Sequence, residues 1–266
     1  MINNDTEAYN IVVKRLNDKT ILSTEQSILS FVVILMNDYS FTENQTYPRP
    51  SHPNPLKRKD AYFTLIAIIL SLRTTLENEQ KAVNLFLKKF SSINDVANSN
   101  IDEIKKVILC AGMPQKKSQI ILNITNFIIN NYHGDINNIN KGNIYEIRNK
   151  LLNLPGVGEK SADCMLELAF DLPSIVVDTN VFRVIVRLFF EEENMSFEKS
   201  QDILKVKKFL EENIVKDYRI FQIVHTILLL RGKYVCKSNP YCEKCKLHEQ
   251  CKYYSNKSIN KQLCLF

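Results

Sequence analysis

The feature that most constrains this chain is an interruption between two helical patterns. Residues 144–152 carry apolar side chains at helical spacing, and 161–170 do so again. Between them runs Leu154-Pro155-Gly156-Val157-Gly158-Glu159-Lys160. Pro155 cannot continue a helix and restricts Leu154 before it, so the chain turns there. Gly156 and Gly158 permit positive φ and leave no Cβ between backbone amides and a ligand. The first amides of the second helix have no intrahelical acceptor and carry partial positive charge, which suits an anion such as a phosphate. Glu159 at the helix start is favoured by the dipole. An ordinary tight connection between helices could use the same glycines. Lys160 on the exit, and a carboxylate further on in Val177-Asp178-Thr179-Asn180, favour the ligand-binding alternative.

Helical spacing recurs along most of the chain, at about 24–36, 60–72, 77–89, 101–110, 115–132, 180–190, 197–213 and 218–231. No strand pattern stands out, so the fold class expected is all-α. Residues 1–22 read as a polar N-terminal extension without firm structure. Residues 41–59, with Pro48, Pro50, Pro53, Pro55 and then Lys57-Arg58-Lys59, read as an irregular connector.

A second pattern lies near the C-terminal end. Cys236, Cys242, Cys245 and Cys251 follow a C-x5-C-x2-C-x5-C spacing, close enough in sequence for four thiolates to surround one metal centre. Disulfide pairing is the weaker reading, because the chain has seven cysteines and no secretory signal at its N-terminus. Structural zinc is the serious rival. Zinc ribbons usually use two Cys-x2-Cys knuckles; one knuckle flanked by single cysteines fits an iron–sulfur cubane better. Cys110 and Cys164 sit in apolar runs and read as core residues, and Cys264 stands apart. The cysteine segment is basic, with Arg231, Lys233, Lys237, Lys244, Lys246 and Lys252 against Glu243 and Glu249, and phosphate contact is one use for such a loop.

The hairpin motif, the Val-Asp-Thr motif and the four cysteines together resemble the helix-hairpin-helix DNA glycosylases, and most closely their endonuclease III branch. The resemblance covers roughly residues 61–252. It implies two lobes with a DNA cleft between them: a six-helix barrel over 54–172 that carries the helix-hairpin-helix, and an iron–sulfur lobe made of 23–53 plus 173–266. It makes Lys160 the nucleophile and Asp178 the catalytic carboxylate. It assigns a 4Fe-4S cluster to Cys236, Cys242, Cys245 and Cys251, although the branch has one more residue in the first gap. It matches Ser71-Leu72-Arg73-Thr74-Thr75 to the loop that fills the space left by an extruded nucleotide, with Arg73 as the plug. It matches Gly112-Met113-Pro114-Gln115-Lys116-Lys117 to a second loop, where Met113 would wedge into the opposite strand and Lys117 would touch DNA. Gly156, Val157 and Gly158 would grip a phosphate, and Lys237 another.

The chemistry asks for such a pair. Lysine must act as a neutral amine to attack the sugar C1′, and a helix N-terminus with partial burial disfavours the ammonium. The aspartate stays ionised to balance a cationic sugar and to shuttle protons. Both residues have plain alternatives, a surface lysine and a helix N-cap. The activity implied is removal of oxidised pyrimidines with strand cleavage at the abasic site, on double-stranded DNA containing damaged bases or abasic sites. Two relatives of the same fold are alternatives. Adenine-mismatch glycosylases usually lack the hairpin lysine and need a glutamate before the plug loop, where Ile66-Ala67-Ile68-Ile69-Leu70 has none. Thymine-mismatch glycosylases often carry tyrosine at the lysine position. A non-catalytic cluster protein that binds DNA is the rival of another class. Departures from the branch lie at Asn180 and Arg231, where histidine occurs, at Arg73, where glutamine is common, and at Leu76, often acidic.

Global properties are compatible with this. A chain of 266 residues can bury a sizeable core, and a net charge of +6 suits a nucleic-acid binder. The apolar run 29–36 is too short to span a membrane. A monomer acting inside the cell, with the genome, is the setting expected.

Overall fold

The computed structural model describes residues 3–37, 60–190 and 195–256. Among these, regular structure is helical throughout and no strand occurs. The chain divides into two compact units, Pro53–Leu172 and a second made of Met1–His52 with Pro173–Phe266. The expected connector over 41–59, its Lys57-Arg58-Lys59 run, and Cys264 lie outside the described residues.

Among the described residues the α-helices are α1 (Asn3–Leu16), α2 (Ser23–Asn37), α3 (Ala61–Ser71), α4 (Leu76–Lys89), α5 (Ile93–Ala97), α6 (Ile101–Val107), α7 (Pro114–Tyr132), α8 (Ile144–Leu152), α9 (Glu159–Leu168), α10 (Thr179–Phe189), α11 (Ser200–Asn213) and α12 (Tyr218–Tyr234). In Pro53–Leu172, α3 is apolar on nearly every face and lies in the core, packed against α4, α7 and α9. It can be buried this way because its only polar ends are capped: Asp60 accepts from the amides of Tyr62 and Phe63 at 3.0 and 3.2 Å. Leu65, Ile66, Ile69 and Leu70 are buried, as are Phe86, Phe90, Ile104, Ile121 and Ile124 from α4, α6 and α7 and the loop after α4. One buried polar pair, Tyr62 Oη with Thr125 Oγ1 at 2.7 Å, joins α3 to α7, and burial pushes the Tyr62 phenol up.

The other unit surrounds α12, which packs against α10, α2 and α1. Its core includes Ile28, Leu29, Val32, Val181, Ile185, Val206, Leu210, Phe221, Val224 and Leu228. Here the expectation for residues 1–22 is corrected. Asn3–Leu16 is a helix, Val12 is fully buried, and Arg15 reaches the buried Glu25 of α2 with Nε–Oε1 2.9 Å and Nη2–Oε2 2.7 Å. Glu25 Oε1 also accepts from the Val215 amide at 3.0 Å. Burial alone would push the Glu25 carboxyl up, but the Arg15 contacts and the Val215 amide leave it below its usual value. The segment looks polar because a helix with one buried stripe needs few apolar residues; the tie to α2 is not visible locally.

Candidate functional site

The hairpin between α8 and α9 is built from one β-turn and one uncapped helix start. Val157 N donates to Leu154 O at 3.1 Å, with Pro155 second and Gly156 third at φ +79°, the pattern of a type II turn. Val157 is buried and anchors the turn. A Cβ on Gly156 would sit 3.0 Å from two Ile120 side-chain atoms of α7, so glycine serves both the turn and the packing. The sequence reading needs two corrections here. The Val157 amide is committed to the turn and is not free for a phosphate. Gly158 has φ −99° and makes no use of positive φ; its place for a Cβ faces open space, which leaves room for a ligand. Gly158 is the N-cap of α9 and offers no side-chain acceptor, so the amides at the head of α9 stay uncapped.

Lys160 stands in that first turn and is exposed. The partial burial expected for it from the sequence is therefore not found. The neighbouring carboxylates are drawn aside. Arg148 of α8 bonds Glu159 through Nη2 and Asp163 through Nε, the latter at 2.9 Å. Asp163 follows Lys160 by three residues in α9, a spacing at which it could otherwise pair with the amine. Arg148 was not singled out from the sequence, because a pairing across the turn has no spacing signature.

Asp178 is a helix N-cap, and a buried one. Its Oδ1 accepts from the amides of Asn180 and Val181 at 2.9 and 2.8 Å, and its Oδ2 accepts from Asn180 Nδ2 at 3.3 Å. Asn180 Oδ1 in turn accepts from Arg183 Nη2 at 2.8 Å. Arg183 continues to Gly232 O at 2.8 Å and, through Nε, to Cys236 O at 2.7 Å. The close approach at this point depends on Gly232. A Cβ there would lie 2.6 Å from Asn180 Cβ and 2.9 Å from its backbone.

The cysteine segment is held by the same face of α10. Arg187, one turn beyond Arg183, donates to Lys237 O at 2.6 Å and Ser238 O at 3.0 Å and lies 3.3 Å from Cys236 Sγ. Its guanidinium also covers the Tyr253 ring at 4.7 Å. Cys236, Cys242, Cys245 and Cys251 line one recess of about 430 Å³, its open mouth included, with Val184, Leu188 and Leu247 as apolar walls. Among the described residues, no three His, Cys, Asp or Glu side chains converge as a single-ion site requires. Four thiols lining one recess, with a guanidinium beside one of them, are a donor set suited to thiolate ligands, whose negative charge the guanidinium would offset. Lys237 is exposed, and its ammonium and that of Lys244 flank the exposed Tyr241 ring at 5.4 and 5.7 Å. The sequence named the cysteines and Lys237 but neither arginine, although two arginines four apart on an amphipathic helix are a usable sign.

The two loops of Pro53–Leu172 adjoin. Arg73 and Met113 are both exposed and both left-handed, each with φ +49°. A Cβ on Gly112 would lie 3.6 Å from Arg73 O. Lys117 does not share their exposure, and the expectation that it touches DNA is corrected. It is 2% exposed, and its ammonium donates to Leu70 O at 2.8 Å and Ala111 O at 2.7 Å. Lys116 and Lys117 are equivalent as residue types; which one faces inward is set by the phase of α7. Cys164 is buried in α9 and Cys110 half-buried.

The family model of the HhH-GPD superfamily base excision DNA repair proteins matches residues 66–212. Endonuclease III of Rickettsia felis is 28% identical over 215 residues, 80% of this chain and 92% of that protein. A putative DNA repair glycosylase of Methanocaldococcus jannaschii is 29% identical over 204 residues, 75% of this chain and 89% of that one. Among solved structures, a trapped endonuclease III–DNA covalent intermediate is similar with a TM-score of 0.67 and 25% identity, over 89% of this chain and 100% of the other. A thermostable thymine-DNA glycosylase gives 0.69 and 25%, over 88% and 100%. With its all-helical fold, its hairpin and a family match over more than half its length, the chain belongs to the HhH-GPD superfamily of base excision DNA repair proteins.

Proposed function

We propose that this protein is a bifunctional DNA glycosylase and abasic-site lyase acting on oxidised pyrimidines in double-stranded DNA. The observation that carries the reading is Lys160, exposed in the first turn of α9 behind the uncapped Gly158. Similarity to endonuclease III supports it. The Lys160 amine attacks C1′ of the extruded nucleotide, and the C1′–base bond breaks with its electrons leaving on the base, which takes up a proton. The attached nitrogen, an ammonium after attack, gives one proton to the ring oxygen O4′ as the C1′–O4′ bond breaks, and the iminium left at C1′ keeps the other. That cation acidifies the C2′ proton, whose removal expels the 3′ phosphate oxygen by β-elimination. Asp178 balances the positive charge on the sugar and accepts protons. The amides at the head of α9 hold a backbone phosphate.

The residues of the recess fit a 4Fe-4S cluster, which Cys236, Cys242, Cys245 and Cys251 would hold. Such a cluster would supply a cross-link that fixes 236–251 on α10 and presents Lys237. Arg187 would neutralise part of the thiolate charge, and Val184, Leu188 and Leu247 would keep water away.

The test is borohydride trapping on an abasic duplex. The wild-type chain should form a covalent adduct, and Lys160→Gln should form none while still binding. Undiminished trapping by Lys160→Gln would remove Lys160 from the chemistry. A thymine-mismatch glycosylase, the second reading favoured by likeness to the thymine-DNA glycosylase, would excise thymine opposite guanine and leave no adduct.

A further inference from the structure

We infer that Lys117 is a positioning residue that joins the Arg73 loop and the Met113 loop into one rigid element, so that both enter the duplex together. The inference rests on the proposed function for the identity of the ligand. It rests on the geometry of Pro53–Leu172 for everything else.

The Lys117 side chain is almost fully buried, which is rare for a lysine. Its ammonium is satisfied by two backbone carbonyls. Leu70 O belongs to the last turn of α3, immediately before the Arg73 loop. Ala111 O ends the short 3-10 helix Leu109–Ala111, immediately before Gly112 and Met113. Both are carbonyls at helix C-termini, where a cation is favoured by the dipole and where the carbonyls lack amide donors. Burial pushes the Lys117 ammonium down, and the charge of Glu79 opposes that. The buried cation therefore bonds the roots of both loops at once.

The loop tips are conformationally restricted as well. Arg73 and Met113 occupy left-handed backbone, which is unfavourable for a residue with a side chain and persists only where surroundings impose it. Pro114 fixes the first position of α7 behind Met113. Gly112 sits against the Arg73 carbonyl. With roots joined and tips in contact, displacement of one loop is transmitted to the other. A cationic plug and an apolar wedge placed this way would act on opposite strands as a unit.

The experiment uses the full-length protein and a duplex with a tetrahydrofuran abasic analogue and 2-aminopurine opposite it. Binding affinity and 2-aminopurine unstacking are read, so no catalysis is needed. Arg73→Ala and Met113→Ala are combined in a double-mutant cycle. In the wild-type background the two losses should be non-additive by at least about threefold. In Lys117→Met that coupling should fall to about onefold, while the slope of log affinity against log salt stays unchanged. Coupling that persists in Lys117→Met, or is absent from the wild type, overturns the inference. A salt slope reduced by about one would instead make Lys117 a phosphate contact and overturn it as well. Should Lys117→Met fail to fold by circular dichroism, Gly112→Ala carries the same cycle, since its φ of +72° strains an alanine where the two loops adjoin. A wild-type chain that does not bind the abasic duplex at all would refute the proposed function, an outcome distinct from intact binding without coupling.

Discussion

Replacing Asp178 by asparagine separates its two jobs. As an N-cap, Asp178 accepts two amide bonds at 2.8 and 2.9 Å through Oδ1. Asparagine keeps that acceptor and caps as well as aspartate does. Two losses remain. The negative charge at the head of α10 disappears, which costs about 0.3–1 kcal/mol. The Oδ2 acceptor of Asn180 Nδ2 is replaced by an amide donor, which removes one hydrogen bond worth about 0.5–1.5 kcal/mol. Asp178→Asn should therefore be destabilised by about 1–2 kcal/mol, a loss that a domain of ordinary stability survives folded. Asp178→Ala also removes the Oδ1 that accepts both amide bonds, and a further cap cost of about 0.5–2 kcal/mol follows. In catalysis the order is different. Neither variant has a carboxylate to balance the sugar cation, so both should lose about a hundredfold or more in single-turnover excision. The assays are urea unfolding followed by fluorescence or circular dichroism, and single-turnover cleavage at saturating enzyme. If Asp178→Asn cleaves at a near-normal rate, the residue is only a cap. If the rates of the two variants track their stabilities, the lost activity is lost structure and the catalytic role falls.

Two other perturbations follow from the geometry. Gly156→Ala should weaken duplex binding and lower stability by about 1–3 kcal/mol, because its φ of +79° strains an L residue and its Cβ meets Ile120 at 3.0 Å; a thermal melt with unchanged Tm would disprove the strain. The Glu25 carboxyl lies below its usual value in the folded chain, so its contribution to stability is present above the unfolded value and is lost as pH falls through the folded one. Arg15→Met should therefore cost roughly 2 kcal/mol at neutral pH and flatten the acid limb of the stability curve, and an acid limb identical to wild type would exclude the pair as its source.

What could be read from the residues in order was whatever depends on local chemistry. Helices follow from apolar periodicity, and α2, α3, α4, α7, α8, α10 and α12 lie close to where that periodicity puts them. The hairpin follows from Pro155 and Gly156, because few residues make that turn. The cysteine group follows from spacing alone. Even the short α5, too brief for a periodicity to mark, carries a local sign: Ser92 and Asp95 form a capping box. Tertiary structure decided which of two equivalent residues points inward and what distant groups meet. It buried Lys117 and left Lys160 in water, although both are lysines near helix starts. It set Arg148 across the hairpin, Arg183 and Arg187 under the cysteine segment, and Arg15 on Glu25. Each of those bonds joins residues at least ten positions apart, through long side chains whose direction depends on the packing of two helices. No periodicity records such a pairing, because its energy depends on burial and on the partner carbonyl or carboxylate, and neither exists until the chain has folded.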